Sequence, residues 1–511
     1  MKKSLQNILR YLLFVSTETL WIALVAILPD FYDNPITGFQ GVLTIVAYVI
    51  AISVVSFLLL YVLSLNKYIA AIFIPIYGMI GAAVSYYRIM YRVTITPLIL
   101  DCILHTNLEE VMGVTTWSLI LWILLNAGIG ICFVVWRWRI NILSYKWLQA
   151  LCAILLFCGY YYFNSRLHQS INQRYPMHII ESIRLHMQLQ RQRYSSKHNL
   201  PPYVVNRAID TLDIIVVIGE SMRADHLSLN GYSRETNPLL IQRDNLVSLP
   251  NIYTEQTHTL ASIPILLTRA DSLHPDLQFS ETSFAAILRK EGYHTAWISN
   301  QDLGETFATF PSECDTTIWA NAGKSVFVFS GWYDEEMLPY IDEQLTLGYA
   351  KNLLILHTIG SHWYYNNHVP NTHCYFRPIT DNRVVTSNSP KAIINSYDNT
   401  VRYLDFVLDS IIQRLESRNA ILIYLSDHGE SLGEGGYWLH AAGADATKNP
   451  ACLVWYSDKF AECYPEKINA LQINQSKRYR TDFLFHSVLD IAEIATIANT
   501  TQATQNIFRT Q

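Results

Sequence analysis

Five apolar stretches in the first third of the chain constrain its fold more than any other feature. A membrane-spanning helix needs about 20 largely apolar residues, and stretches close to that length occupy residues 11–28, 42–63, 68–89, 117–135 and 147–162. A secretory signal peptide is a single short segment and would leave four of them unexplained. The alternative is a hydrophobic soluble bundle. We predict an α-helical membrane domain of five spans over residues 1–163.

The basic residues between these stretches predict the orientation of the domain. Lys and Arg are enriched in the short cytoplasmic loops of membrane proteins. They precede the first stretch and lie between the second and third and between the fourth and fifth, at Lys2, Lys3, Arg10, Lys67, Arg137, Arg139 and Lys146. The loop over 29–40 contains none. We therefore predict a cytoplasmic N-terminus in a bacterial inner membrane and a periplasmic location for the chain beyond residue 162.

The remaining two thirds of the chain read as a linker followed by an α/β domain. Residues 164–205 are polar and basic with scattered apolar positions, which indicates either an amphipathic surface helix or a solvated linker. Over 206–511, predicted strands at 214–218, 294–299, 351–358 and 420–426 alternate with predicted helices at 284–291 and 392–418. Such alternation predicts a mainly parallel sheet with helices on both faces. The net charge of −5 gives no reason to expect nucleic-acid binding.

Two of the predicted strands end in residues that bind metals. Glu220 follows the apolar strand 214–218, and Asp427 and His428 follow the strand 420–426. In open α/β sheets, ligands bind beyond the carboxyl ends of strands. Two carboxylates and one imidazole suit zinc or a similar divalent ion. The alternative is that these are polar residues of two surface loops that never meet.

A run of hydroxyl residues between these strands supplies candidate nucleophiles. It contains Thr254, Thr257, Thr259 and Ser262 and leads into an apolar, helix-like stretch. A hydroxyl at a helix N-terminus lies in the positive field of the helix dipole. Bound to a cation, it can lose its proton and attack phosphorus. For any one Thr, the alternative is an ordinary helix N-cap.

Five motifs give the chain a resemblance to a known family. They are VVIGES with SLNGYSRETNPLL (216–240), THTLASIP (257–264), LHTIGSHWYY (356–365), YDNTVRYLD (397–405) and YLSDHGESLGE with YWLH (424–440). In this order they resemble the phosphoethanolamine transferases of the lipid A type, which include the mobile colistin-resistance enzymes. That family belongs to the alkaline phosphatase/sulfatase-like superfamily, and the resemblance covers nearly the whole chain.

The resemblance implies a role for each matching residue. Glu220, Asp427, His428 and Thr259 would bind catalytic zinc, with Thr259 as the nucleophile and Ser221 as its rival. A formylglycine sulfatase is disfavoured because Ser221 is not followed by the required proline. Three further residues are matched to the substrate or to a second metal, with the last of them assigned to the ethanolamine end: His362, His440 and Asn300. Seven further histidines are predicted to be structural: His226, His258, His274, His294, His357, His368 and His373.

The chain departs from the family pattern at two places. Glu255 and Ile265 stand where the family often has cysteines around the nucleophile, and Trp363-Tyr364 stands where Gly-Pro commonly follows the GSH segment. The second change affects the predicted pocket rim and leaves the acceptor open. None of the eight cysteines forms a CxxC motif. One or two disulfides are possible in an exported domain, and Cys452–Cys463 is the closest pair.

The resemblance implies a two-step transfer. Phosphatidylethanolamine would donate phosphoethanolamine to Thr259, releasing diacylglycerol, and a hydroxyl or phosphate of lipid A or core sugar would accept it. The enzyme is expected to be a monomer, and the modification to confer polymyxin resistance. Two other hypotheses are a phosphoglycerol transferase like lipoteichoic acid synthase, and a non-catalytic membrane sensor on a sulfatase-like domain.

Overall fold

The computed structural model divides into two compact units. One comprises residues 1–104 and 115–190, and the other comprises 105–114 and 191–511. The structure describes residues 2–33, 38–91, 93, 95, 97–105, 108–141, 146–163, 175–195, 199–301, 309–321, 331–382, 384–440, 443–496 and 506–510. The boundaries predicted at residues 163 and 205 stay predictions. Residues 164–174 of the predicted linker lie outside the described residues.

The N-terminal part of the chain is helical. Its helices are α1 (Lys2–Asp33), α2 (Gly38–Ser64), α3 (Lys67–Tyr91), α4 (Pro97–His105), α5 (Leu108–Val114), α6 (Trp117–Trp138), α7 (Lys146–Phe163) and α8 (Met177–Ser195). Four of the described helices, α1, α2, α3 and α6, are long and apolar enough to cross a membrane. The fifth predicted span lies in α7, which has a shorter apolar segment, Gln149–Cys158. The predicted helical membrane domain is confirmed.

Apolar side chains occupy both the inside and the outside of this bundle. Phe14 and Ile22 of α1 are buried, whereas Leu13 and Leu24 of the same helix are 58% and 56% exposed. A helix that is apolar all round suits a lipid environment, where the exposed face meets acyl chains. Helices α3 and α6 approach closely at Gly130, where a Cβ would lie 2.8 Å from Cα of Pro75. Small residues at such crossings are typical of membrane helix pairs.

The second unit is built on a seven-stranded sheet. The thirteen described strands are β1 (Tyr203–Val205), β2 (Leu212–Gly219), β3 (Leu246–Ser248), β4 (Ile252–Tyr253), β5 (His294–Ser299), β6 (Thr316–Trp319), β7 (Lys351–His357), β8 (Ala420–Ser426), β9 (Ser431–Leu432), β10 (Trp438–Leu439), β11 (Cys452–Tyr456), β12 (Tyr479–Arg480) and β13 (Ile494–Thr496). The sheet order is β3-β11-β8-β2-β7-β5-β6. The five strands from β8 to β6 are parallel, and β11 and β3 form an antiparallel edge. The predicted mainly parallel sheet is confirmed.

Helices cover the sheet as the strand burial requires. Every residue of β2 and β8 is buried, because apolar runs of this kind pack on both faces. The helices of this part are α9 (Thr259–Leu267), α10 (Leu277–Ser280), α11 (Phe284–Lys290), α12 (Leu338–Thr346), α13 (Pro390–Leu415), α14 (Asp458–Cys463), α15 (Pro465–Asn474) and α16 (Phe483–Ile491). The longest, α13, begins at Pro390, and the side chain of its N-cap residue Ser389 accepts a hydrogen bond from the Ala392 amide.

The cysteines contribute no disulfide among the described residues. Cys132, Cys152, Cys158, Cys314, Cys374, Cys452 and Cys463 are all free. The pair considered from the sequence, Cys452–Cys463, is therefore not a bridge. Helix α9 is held by packing instead, since Ile263, Leu266 and Leu267 are fully buried. Deep apolar packing thus supplies rigidity where the family often has cysteines.

His486 in α16 makes stability depend on pH. Burial and, to a lesser extent, Arg269 lower the pKa of His486 to about 4, while Asp271 opposes the shift. In the unfolded chain a histidine has a pKa near 6.5, so between pH 6.5 and pH 4 the unfolded state binds a proton that the folded state does not. The free energy of unfolding therefore falls as the pH is lowered from 6.5 toward 4. We expect thermal unfolding midpoints to fall less between pH 7 and pH 5 in His486→Gln than in the wild type. Equal falls in both proteins would contradict this assignment.

Candidate functional site

Four neighbouring parallel strands deliver the candidate residues to one edge of the sheet. The strands β8, β2, β7 and β5 lie side by side and point the same way. Glu220 follows β2, and Asp427 with His428 follows β8, which is paired to β2 as far as Gly219 and Ser426. The segments after β7 and β5 carry His362 and Asn300. This is the ligand-binding edge expected of an open α/β sheet.

Thr259 lies against the Glu220 carboxylate. Its Oγ1 donates a hydrogen bond to Glu220 Oε2 at 2.8 Å and lies 3.5 Å from Nε2 of His428. Thr259 is the first residue of α9, with His258 at the N-cap. Thr259 is half-buried, whereas Glu220 and His428 are fully buried. The hydroxyl therefore lies at the accessible end of an otherwise buried cluster.

Ser221 holds Glu220 from the other side. Its hydroxyl donates to Glu220 Oε1 at 2.7 Å, and its backbone adopts a left-handed conformation with φ 57°. A non-glycine residue in this region is strained, and such strain concentrates at functional sites. Tyr397 donates to the Ser221 carbonyl at 2.8 Å, which keeps the turn in place. Ser221 itself is fully buried.

Asp427 and His428 complete the centre of the cluster. Asp427 Oδ1 accepts from the backbone N–H groups of His428 at 2.8 Å and Ser221 at 3.3 Å. Asp427 Oδ2 lies 3.3 Å from Nε2 of His428, which is 3.6 Å from Glu220 Oε1. The Nδ1 of His428 donates to the carbonyl of Gly429 at 2.8 Å. That bond fixes the imidazole so that Nε2 faces both carboxylates, the usual arrangement of a metal-binding histidine.

The electrostatics of this cluster are those of interacting buried charges. Burial opposes ionisation of Glu220, but His428, His362 and His440 outweigh it and lower the pKa of this carboxyl. Burial and then the charge of Glu220 raise the pKa of Asp427. Burial opposes protonation of His428, yet the two carboxylates raise its pKa. The cluster therefore attracts positive charge.

The donor set fits a divalent metal ion. Oδ2 of Asp427 is buried and has no hydrogen-bond partner in the described part of the chain, although buried carboxylate oxygens are normally satisfied. One ligand atom each from Glu220, His428 and His440 lie within 4.8 Å of one another. Carboxylate, imidazole and hydroxyl groups together suit zinc. His440, which the sequence assigns to the substrate or a second metal, thus lies within reach of the first site.

His440 is backed by a buried carboxylate that the sequence did not single out. Its Nδ1 lies 3.2 Å from Glu430 Oε2, and its ring centroid lies 4.6 Å from that of His428. Glu430 is fully buried, and its Oε1 accepts a hydrogen bond from Tyr365 at 3.2 Å. A carboxylate on one imidazole nitrogen orients the ring and keeps the proton on that nitrogen. The lone pair of the neutral ring then lies on Nε2, the nitrogen that can bind a cation.

Two further histidines lie next to His440. The His362 ring centroid is 6.2 Å from that of His440, and its Nδ1 donates to the Trp363 carbonyl at 2.7 Å. The ring of His258, which the sequence predicted to be structural, is 5.9 Å from His440. Burial, together with His440 and His428, lowers the pKa of His258 to about 3, while Glu220 opposes the shift. His258 lies in the same motif as Thr259, but the resemblance assigns a role to Thr259 alone. There was therefore no sequence-based reason to select His258.

Asn300 is buried behind the cluster rather than presented to solvent. Its Nδ2 donates to Asp334 at 2.9 Å, and its Oδ1 accepts from Trp332 Nε1 at 2.9 Å. Asp334 in turn accepts from the backbone amides of Ile359 and Gly360. Asn300 therefore supports the turn that carries His362. The next residue, Gln301, is the one that touches Glu220, and sequence analysis missed it.

Two family models match the chain in succession. The model described as sulfatase matches residues 213–494, which is more than half of the chain. The model described as phosphoethanolamine transferase EptA/EptB matches residues 49–171. The chain belongs to the sulfatase family, in its phosphoethanolamine transferase branch. It is an enzymatic transferase with a membrane-spanning N-terminal domain, as the branch implies.

Curated phosphoethanolamine transferases are similar to this chain over different shares of their length. Phosphoethanolamine transferase EptA of Escherichia coli (strain K12) is 28% identical over 90% of this chain and 89% of its own. Kdo(2)-lipid A phosphoethanolamine 7''-transferase of the same strain is 30% identical over 51% of this chain and 47% of its own.

Solved structures extend the comparison to the fold. The integral membrane lipooligosaccharide phosphoethanolamine transferase A of Neisseria meningitidis has a TM-score of 0.80, with 24% identity and 97% coverage of both chains. The C-terminal periplasmic domain of EcEptC from Escherichia coli, in complex with Zn, has a TM-score of 0.54 with 25% identity, covering 61% of this chain and 90% of that one. The fold of the first of these structures thus covers nearly the whole of this chain.

Gly360 tests how closely the site is packed. A Cβ at Gly360 (φ +50°) would lie 2.8 Å from the Glu220 carbonyl oxygen, whereas a Cβ at Gly231 (φ +90°) meets nothing within 4 Å. Both alanine variants incur about 1–2 kcal/mol of strain from the left-handed backbone. We expect Gly360→Ala to lower the free energy of unfolding by a further ~1–3 kcal/mol, because Glu220 must shift. Equal losses in the two variants, measured by denaturant unfolding, would contradict this close approach.

Proposed function

We propose that this enzyme transfers phosphoethanolamine from phosphatidylethanolamine to lipid A or the core sugar of lipopolysaccharide. In this proposal Glu220, Asp427, His428 and Thr259 hold zinc, and Thr259 carries the group between the two half-reactions. The observation that carries the proposal is the 2.8 Å hydrogen bond from the half-buried Thr259 hydroxyl to Glu220 within a buried carboxylate–imidazole cluster. The acceptor is suggested by the relative named Kdo(2)-lipid A phosphoethanolamine 7''-transferase.

We assign the role of nucleophile to Thr259 because its hydroxyl is only half-buried and donates a hydrogen bond to Glu220. Its Oγ1 would form a bond to phosphorus as the bond from phosphorus to the diacylglycerol oxygen breaks. Glu220 Oε2, which already accepts the hydrogen bond from Oγ1, is placed to receive the threonine proton. Ser221 is disfavoured as the nucleophile since it is fully buried. When bound, zinc would polarise the threonine hydroxyl and offset the charge on the phosphoryl oxygens.

His440 would act as the general acid that protonates the leaving group. Its ring lies between His428 and His362, and Glu430 holds its Nδ1. From Nε2 it could protonate the diacylglycerol oxygen as that group departs. In the second half-reaction the same nitrogen would accept the proton of the attacking acceptor hydroxyl. Glu220 would return its proton to Thr259 Oγ1 as the bond from that oxygen to phosphorus breaks, which restores the starting state of the enzyme. His362 is placed to stabilise phosphate charge.

The membrane domain would keep this reaction next to its lipid substrates. We propose that the N-terminus is cytoplasmic and the catalytic domain periplasmic, so that donor lipid enters from the outer leaflet of the inner membrane. Each transfer adds an ammonium group beside a lipid A phosphate. Because this lowers the negative surface charge, it weakens binding of cationic peptides such as polymyxin.

Mass spectrometry of lipid A and core oligosaccharide, from cells with and without this protein, tests the reaction and the acceptor. We expect one added phosphoethanolamine on lipid A, together with released diacylglycerol. Addition to core sugar instead would retain the mechanism and change the acceptor. Consumption of a phosphoglycerol donor would support a phosphoglycerol transferase. Absence of any diacylglycerol would support a non-catalytic sensor and contradict the proposal.

Conservative substitutions separate the two hydroxyl residues. We expect Thr259→Ala to lower the rate of phosphoethanolamine transfer by at least about 1,000-fold. Among the described residues, the other hydroxyl that hydrogen-bonds to Glu220 is that of Ser221, which is fully buried. Thr259→Ser should retain measurable transfer. Ser221→Ala should retain more activity than Thr259→Ala, since Ser221 only orients Glu220. Retained turnover in Thr259→Ala, measured by diacylglycerol release from purified enzyme, would contradict the assignment.

Glu430 tests the proposed role of His440. In Glu430→Gln the side chain keeps its size but loses the charge that holds Nδ1–H of His440. We expect transfer to fall about 10- to 100-fold, the usual effect of removing a carboxylate behind a site histidine. The matched control is Glu281→Gln, a buried carboxylate that pairs with Arg269. Similar rates in both variants would remove Glu430 from the mechanism.

A further inference from the structure

Two hydrogen bonds anchor the backbone of Gln301, a buried residue near the site. It is 2% exposed and follows β5 by two residues. Its amide N–H donates to Ser299 Oγ at 3.1 Å, and its carbonyl accepts from Asn321 Nδ2 at 2.7 Å. A buried side chain on such an anchored backbone has little freedom to reorient. The direction of its amide group is therefore well defined.

The side chain of Gln301 connects the ends of two other strands. Its Nε2 donates to the Thr358 carbonyl at 2.7 Å, just after β7, and to Glu220 Oε2 at 3.3 Å, just after β2. The two protons of one amide group thus serve two acceptors. The shorter bond anchors the amide to the backbone, and the longer bond directs it at the carboxylate.

The oxygen that Gln301 contacts is the one that receives the Thr259 hydrogen bond. Glu220 Oε2 accepts from both residues, while Oε1 accepts from Ser221. Both oxygens of the carboxylate are therefore restrained, so the plane of the carboxylate is fixed. A neutral amide can do this without cancelling the charge of Glu220, whereas Lys or Arg in its place would compete with a cation.

We propose that Gln301 is a positioning residue that pre-orients Glu220 for its metal ion. The inference rests on the proposed function, since it takes Glu220 as a zinc ligand. Groups that hydrogen-bond to metal ligands orient them, and losing one typically weakens metal binding about 10- to 100-fold. Gln301 does not touch the reacting atoms, so its effect is on the geometry of the site.

Another buried glutamine provides a matched control. Gln344 in α12 is 3% exposed, and its Oε1 lies 2.9 Å from Nε2 of His294. His294 begins β5, whereas Gln301 lies beyond the other end of the same strand. Replacing either glutamine with Met exchanges a buried amide side chain for an apolar one of similar size. Only the change at Gln301 removes a contact to Glu220.

The experiment is a zinc titration of the full-length protein in detergent micelles. Metal-free wild type, Gln301→Met, Gln301→Asn and Gln344→Met are titrated with zinc against a competing chromophoric chelator. We expect the zinc Kd to rise about 10-fold or more in Gln301→Met. Gln301→Asn, which retains an amide but is one methylene too short, should show a similar rise and provides the test if the Met variant misfolds. Gln344→Met should match the wild type.

The outcomes separate this inference from the proposed function. A wild-type Kd in Gln301→Met, or an equal rise in Gln344→Met, would overturn the positioning role while leaving the zinc site intact. If the wild-type protein itself binds no zinc, the proposed metal site is wrong, and the role of Gln301 is overturned with it. Thermal unfolding of the metal-free proteins checks that any difference in Kd does not follow general destabilisation.

Discussion

The parallel pairing of β2 with β8 is the interaction on which the rest of the site depends. It places Gly219 opposite Ser426, so that Glu220 and Asp427 leave the sheet side by side. Both carboxylates are almost completely buried, and a buried charge without a partner is costly. The fold concentrates negative charge at one point and surrounds it with imidazoles. A divalent cation is the natural partner for such an arrangement.

A layer of neutral hydrogen-bonding groups supports that charge without cancelling it. Ser221 and Gln301 restrain the two oxygens of Glu220, and the Gly429 carbonyl restrains His428. The left-handed backbone at Ser221 is the strained element of this layer. The Tyr397 hydroxyl holds it by donating to the Ser221 carbonyl and accepting from the Arg223 backbone N–H. Glu430 has a comparable supporting role, because it is buried and orients His440. Each of these groups acts on a neighbour, so the accessible face is left to Thr259.

Part of this account follows from sequence alone. Hydropathy predicted the membrane helices, because a lipid environment admits few alternatives to apolar helices of that length. Apolar strands ending in Glu220 and in Asp427-His428 predicted a shared edge, and the structure brings those residues together with Thr259. The supporting layer could not be predicted. Gln301 and Glu430 act through loop geometry and tertiary contacts, and a lone Gln after Asn300 carries no periodic signal. The absence of a Cys452–Cys463 bridge likewise depends on three-dimensional separation.

Peptide mass spectrometry after incubating purified enzyme with phosphatidylethanolamine, without acceptor, tests the central claim most directly. The account predicts that the peptide containing Thr259 gains the mass of one phosphoethanolamine group, and that the group leaves when a lipid A acceptor is added. The same modification on the peptide containing Ser221, or diacylglycerol release with no modified peptide, would contradict a covalent intermediate on Thr259.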